Sequence, residues 1–256
     1  MLPDPGAMLF LSACVFFAGV VDALAGGGGL ITLPAYLAVG LNPALILGTN
    51  KLVSSLGTVV STLRYHRALK FPLKPFLPVI GASLIGSWLG ARAALRVDPS
   101  WIRPLLLAVL PVVAWLVWSR KDFGSLDESA GLSAQERLKR GMLAAAPIGA
   151  YDGFFGPGTG TFFALAFARW GRHDLLGATA RAKILNLVSN LAALAAFIQA
   201  GRVHWRLGLA LSVLSIAGHW FGSRLGVRRG AAIIRPVVAL VCAGLFLKIL
   251  LDALRG

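Results

Sequence analysis

Eight apolar stretches, at about 8–40, 43–63, 73–95, 101–118, 142–168, 175–200, 206–227 and 233–254, occupy most of this chain. Each is close to or longer than the roughly 20 residues that an α-helix needs to cross the hydrocarbon of a bilayer. A backbone in lipid must satisfy its own hydrogen bonds, and stretches of this length do so as helices. Water alone is the wrong solvent for them. Of the 256 residues, 57% are hydrophobic and 14% charged, where soluble domains carry about half and about a quarter. One core of this size cannot hide the surplus. The composition implies an all-α polytopic membrane protein, with the lipid bilayer as its first partner.

The formal charge of +15 raises nucleic acid as a second partner. Its placement argues against that. Arg64, Arg67, Lys70 and Lys74 lie between apolar stretches, as in loops held on the cytoplasmic face. No basic stripe is interleaved with aromatics on a polar surface, so no nucleic acid is expected. Cys14 and Cys242 fall inside apolar runs and read as small core residues. The opening residues MLPDPGAM lack a basic n-region, so the first apolar run reads as a retained span.

One polar stretch, 119–141, divides the chain into similar halves. The expected organisation is a first transmembrane repeat over 1–118, a charged linker over 119–141, and a second repeat over 142–256. Asp152 follows Asp22 by 130 residues, each shortly before a glycine cluster. Gly86-Ser87-Trp88-Leu89-Gly90-Ala91-Arg92 matches Gly218-His219-Trp220-Phe221-Gly222-Ser223-Arg224 at an offset of 132, as Ile102-Arg103-Pro104 matches Ile234-Arg235-Pro236. Each repeat holds about four to five helical segments, with a broken or re-entrant first helix. If that first stretch supplies one crossing, the repeats are parallel; if it turns back or adds a short helix, they are inverted. The inverted arrangement is favoured, because it gathers the basic loops near 64–74, 119–141, 169–174 and 224–235 on one side.

The chemistry concentrates at the breaks. In Asp22-Ala23-Leu24-Ala25-Gly26-Gly27-Gly28-Gly29-Leu30-Ile31-Thr32-Leu33-Pro34, four glycines interrupt a helix at membrane depth, each costing about 1 kcal/mol relative to alanine. The exposed backbone is tolerated only where protein or a wet cavity covers it. A helix restarting near Leu30 aims N–H groups and a positive dipole end at that cavity. Asp152-Gly153-Phe154-Phe155-Gly156-Pro157-Gly158-Thr159-Gly160-Thr161 repeats the acid and the break and adds hydroxyls. Matching breaks in two halves point to a midplane substrate site; close helix packing is the plainer use of the glycines.

A second constellation opens the next helix of each half. Asn42-Pro43 is a start signal, followed by Gly48, Thr49, Asn50, Lys51, Ser54 and Ser55; the other half offers Thr179, Arg181, Lys183, Asn186 and Asn190. Lys183, Asn186 and Asn190 share one helix face. Cations, amides and hydroxyls near helix N-termini suit an oxyanion. Snorkelling to the interface is the alternative for Lys51 and Arg181, and interhelical hydrogen bonding for the asparagines. Asp22 and Asp152 are candidate proton carriers, or else they cap backbone or pair with Lys51 or Arg181. Trp88 and Trp220 read as interface anchors or packing residues. His66, His173, His204 and His219 fall in or near loops without ligand spacing, so no metal site is expected. No catalytic triad, P-loop or dinucleotide fingerprint is present, so neither an enzyme nor a cofactor is expected.

At these residues the chain resembles the sulfite exporter TauE/SafE family over nearly its whole length. The likeness rests on Asp22 to Pro34 with Gly48-Thr49-Asn50-Lys51, and on Tyr151 to Gly160 with Ala178 to Lys183, Asn186 and Asn190. The resemblance implies a multi-pass transporter of the bacterial inner membrane, exporting sulfite or a small organosulfonate, in the branch whose members carry no assigned substrate. The family motifs fall on Gly26, Gly27, Gly28, Gly29, Thr49, Lys51, Gly156, Gly158, Thr159, Thr179, Lys183 and Asn186. The expected substrate is therefore a small anion held by these residues with Thr32, Asn50, Thr161, Arg181 and Asn190, and coupled through Asp22 and Asp152. Rival readings are a cation or proton-coupled carrier of another solute, a membrane enzyme, and a non-transporting scaffold. No sequence feature sets an oligomeric state.

Overall fold

The computed structural model describes residues 3–101, 104, 105, 108 and 126–229. Among these the chain is all-α, with eight α-helices and no strand. They are α1 (Pro5–Ala25), α2 (Gly29–Ala38), α3 (Pro43–Leu69), α4 (Leu77–Ala94), α5 (Ala134–Phe154), α6 (Thr159–Arg169), α7 (Leu175–Gln199) and α8 (Trp205–Arg229). Most of the apolar stretch at 101–118, residues 119–125, the stretch at 233–254, Cys242 and the Ile102/Ile234 correspondence lie outside the described residues.

Local signals place the helix starts. Asp4 accepts from the Ala7 N–H with Pro5 in the first turn of α1, and Asn42 accepts from the Ala44 N–H with Pro43 opening α3. Asp174 caps α7 through the Gly177 N–H. At α5, Ser133 and Glu136 bond each other's backbone reciprocally, two orphan donors satisfied at once. This start lies inside the polar stretch, so residues 134–141, read above as linker, form the first turns of α5. Ser133→Ala is expected to lower stability by about 1 kcal/mol, measured by thermal unfolding in detergent; no change would mean that tertiary contacts alone hold this start.

The first long apolar stretch of each half yields two helices. α1 stops because Gly26 takes a left-handed φ of 74°, and α2 restarts three residues on. After α5, Gly156 (φ 100°) and Gly158 (φ 83°) redirect the chain before α6. Such φ values are cheap only for glycine.

α1, α3, α7 and the segment Lys74–Ala94, which places a 3-10 turn ahead of α4, are long and apolar enough to cross a membrane; α2 is apolar but short. Leu9, Phe17, Leu84, Ile85, Leu89, Leu209, Val213 and Phe221 are exposed, an outer surface suited to lipid. The halves interleave: α1 lies against α8, α4 against α5, and α3 against both α7 and α8. Lipid offers no hydrophobic force between helices, so close packing of small residues must hold them. A side chain on Gly86 or Gly90 of α4 would overlap the carbonyl oxygens of Ala146 and Ala150 in α5. One on Gly218 or Gly222 of α8 would overlap those of Phe16 and Val20 in α1. The matched glycine motif therefore seats α4 and α8 each on the opening helix of the opposite half. Its tryptophans lie under arginines one turn on, Arg92 at 5.7 Å from the Trp88 ring centre and Arg224 at 5.4 Å from that of Trp220.

Candidate substrate site

The two breaks meet. Gly26 and Gly160 approach so closely that a Cβ on either would collide with the other's backbone. The Thr161 N–H donates to the Gly26 carbonyl at 2.9 Å, and its hydroxyl lies 2.6 Å from that oxygen and 2.8 Å from the Ala25 carbonyl. Neither Gly28, ahead of α2, nor Gly158, ahead of α6, supplies a side-chain cap. Both helix N-termini therefore open on one small polar space.

Two ion pairs flank it, each joining the halves. Lys51 of α3 lies 2.9 Å from Asp152 Oδ1 of α5, both about 98% buried. Lys183 of α7 lies 3.3 Å from Asp22 Oδ2 of α1 and also donates to the Asp22 carbonyl. The sequence offered the two acids a partner in Lys51 or Arg181; Asp152 takes Lys51, and Asp22 takes neither. Lys51 and Lys183 are 132 residues apart, as are the helix caps Asn42 and Asp174. Snorkelling does not describe either lysine, because both are fully enclosed by helices. Lys51 also donates to Asn190 Oδ1 at 2.9 Å, and Ser189 donates to Asp152 Oδ2 at 2.6 Å. His219 is not near a loop: it is buried inside α8, with Nε2 3.0 Å from Asp22 Oδ2.

The space between the breaks has a volume of about 20 Å³, room for about one water. Of the residues singled out from sequence, Asp22, Gly26, Gly27, Gly28, Gly29, Asn50, Lys51, Ser54, Asp152, Gly156, Gly158, Thr159, Asn186 and Asn190 line it, joined by Gly160. Lys183 stands behind Asp22. Thr32 donates to Asn50 Oδ1 at 2.6 Å and so positions that amide. Thr49 is turned away, accepting from the His204 N–H at 3.0 Å, and the Thr179 hydroxyl donates to the Leu175 carbonyl of its own helix. The Thr161 hydroxyl is consumed in joining the breaks.

Arg181 is the clearest correction. Its guanidinium sits over the Phe71 ring at 4.5 Å, in a separate cavity of about 290 Å³ shared with Arg137 and His173. Two residues of helix turn it about 200° from Lys183, onto another face. Burial, with the Arg181 charge beside it, pushes the His173 imidazole down to about 4, so it is neutral at pH 7. Ser189 and His219 were missed by sequence reasoning, although His219 lies within the repeated glycine motif.

Residues 11–249 match the family model described as sulfite exporter TauE/SafE. The chain belongs to the TauE/SafE family. No solved structure matches it. A probable membrane transporter protein, ORF9, of Sinorhizobium sp is 36% identical to this TauE/SafE chain over 245 residues, 96% of this chain and 93% of the relative. The probable membrane transporter protein YfcA of Escherichia coli K12 is 34% identical over 248 residues, 97% and 90% of the two chains. A probable membrane transporter protein of Haemophilus influenzae is 34% identical over 247 residues, 96% and 95% of the two. The chain is thus a membrane transporter of the TauE/SafE family, and not an enzyme.

Proposed function

We propose that this transporter is a secondary carrier of a small anion, such as sulfite or an organosulfonate, in the bacterial inner membrane. One observation carries the reading: the buried ammonium of Lys51, 2.9 Å from Asn190, stands at a cavity onto which the N-termini of α2 and α6 both open. Helix N-termini, an ammonium and amides are donors, and together they suit an oxyanion. The two acids there already carry a lysine each, which weighs against a cation as cargo. A cavity for about one water admits such an anion only when the breaks separate, so α2 and α6 are the moving parts.

The two halves are proposed to be inverted repeats, the first over 1–118 and the second opening with α5. Phe71, just past the end of α3, and Arg181, near the start of α7, line the same cavity. Corresponding helices therefore run in opposite directions. The same cavity draws on the loops near 64–74, 119–141 and 169–174, which the inverted arrangement gathers on one side.

Flux of labelled sulfite and of a small organosulfonate into proteoliposomes tests the reading. Saturable uptake is expected. Asn190→Ala should raise the half-saturating concentration about tenfold, the equivalent of one hydrogen bond of roughly 1.4 kcal/mol. Failure of folded protein to move either anion, or flux of a cation that depends on Asp22 and Asp152 alone, would overturn it.

A further inference from the structure

The two ion pairs are alike in their lysines and unlike in their third member. Asp152 accepts from the Ser189 hydroxyl at 2.6 Å, and the Ser87 hydroxyl donates to the Ser189 carbonyl at 2.6 Å. At the corresponding positions of the other half, offset by 132 residues, stand Gly57 for Ser189 and His219 for Ser87. The exchange is concerted. A Cβ on Gly57 would collide with the His219 ring and the Ser215 hydroxyl; loss of a side chain from α3 makes the room that the imidazole of α8 fills. The result is a titratable ring on Asp22 where Asp152 has a hydroxyl.

Both nitrogens of that ring face acceptors. Nδ1 lies 2.9 Å from the Ser215 carbonyl oxygen, and Nε2 lies 3.0 Å from Asp22 Oδ2. A neutral imidazole has one N–H and one lone pair, so it would set a lone pair against one of these oxygens. One added proton makes both contacts hydrogen bonds. The surrounding groups are consistent with a proton held here. α1 presents Asp22; α3 presents the Thr58 hydroxyl, 3.4 Å from Nε2; α7 presents Lys183 on the same carboxylate oxygen; α8 itself presents Ser215. Arg64 and Arg224 are drawn off to the Trp220 ring, and Lys51 is held on Asp152.

We propose that the coupling proton binds between His219 and Asp22, and that the Asp152 pair holds none. This deepens the anion-carrier reading and rests on it. With the proton bound, Asp22, His219 and Lys183 sum to one positive charge beside the cavity, while Asp152 and Lys51 sum to zero. A monoanion then neutralises the site, and proton and anion cross together without net charge movement. Departure of the proton sets a ring lone pair against Oδ2 or the Ser215 carbonyl oxygen and removes the charge that held the anion. Asp22 Oδ1 accepts from the Gly28 N–H at 3.2 Å, which ties the change to the α1–α2 break.

Histidine titrates near neutral pH, so the proton can be watched directly. In 15N-histidine-labelled protein in detergent, the imidazole signal identified by its loss in His219→Gln should show both nitrogens protonated at pH 7. In proteoliposomes, a small organosulfonate, whose own charge is constant with pH, should accumulate about tenfold under an opposing one-unit pH gradient, since one coupled proton is tenfold per unit. The Gly57→Ser/His219→Ser double variant, which copies the other half, should equilibrate with no accumulation. A ring with one bare nitrogen throughout pH 5–8, or tenfold accumulation retained by the double variant, overturns the proposal. If the unaltered protein moves no anion, the carrier reading fails on its own, and the imidazole titration still settles where the proton sits.

Discussion

Lys51→Ala is expected to cost about 3–5 kcal/mol of stability, because it leaves the Asp152 carboxylate buried without a cation. The pair is about 98% buried on both sides at 2.9 Å, and the remaining Asp152 donor, Ser189, supplies a single neutral hydrogen bond. Asp152→Ala should cost a similar amount, now stranding the ammonium against Asn190. The double variant Lys51→Met/Asp152→Leu separates structure from function. Removing both charges and filling the volume restores most of the lost stability, since a buried ion pair and its apolar replacement are often close in energy. It should restore no anion flux. Thermal unfolding in detergent and flux in liposomes read the two effects. If both single variants unfold within about 1 kcal/mol of the parent, the pair is solvated in the folded protein and the closed polar site described above is wrong.

Gly90→Leu, in the buried seam of α4 on α5, should be the most damaging single change to that interface. A Cβ at that position overlaps the Ala150 carbonyl and lies 2.9 Å from the Phe154 N–H, so no rotamer relieves it and α4 must move off α5. Ordinary overpacking costs about 1–3 kcal/mol. Here the obstacle is backbone, and the seam is shared with Gly153, whose own Cβ would overlap the Ser87 carbonyl. A loss of at least roughly 3 kcal/mol is expected, with most of the protein failing to elute as a single species in detergent. Gly81→Ala, in the same helix with nothing within 4 Å of its Cβ, is the control and should gain up to about 1 kcal/mol. Equal behaviour of the two variants would mean that helix propensity, rather than close approach, explains the glycines of α4.

Much of this protein was determined by its sequence alone, because the features concerned are local. Stretch length and apolarity specify membrane helices. Asn42-Pro43 specifies a start, and glycine clusters after Asp22 and Asp152 specify breaks, since each acts within a turn or two of chain; the Ser133–Glu136 box is just as local but sits in the polar stretch read as linker. The repeat register brought the glycine seams into view before their partners were known. Tertiary structure alone decided who meets whom. Lys51 goes to Asp152 and Lys183 to Asp22, because the seams set each opening helix against the opposite half. Arg181, two residues from Lys183, is carried to another cavity by the 100° step of the helix. His219 reaches Asp22 across 197 residues of chain, through space left by Gly57 on a third helix. Such contacts depend on crossing angles and interhelical distances, which no local periodicity encodes.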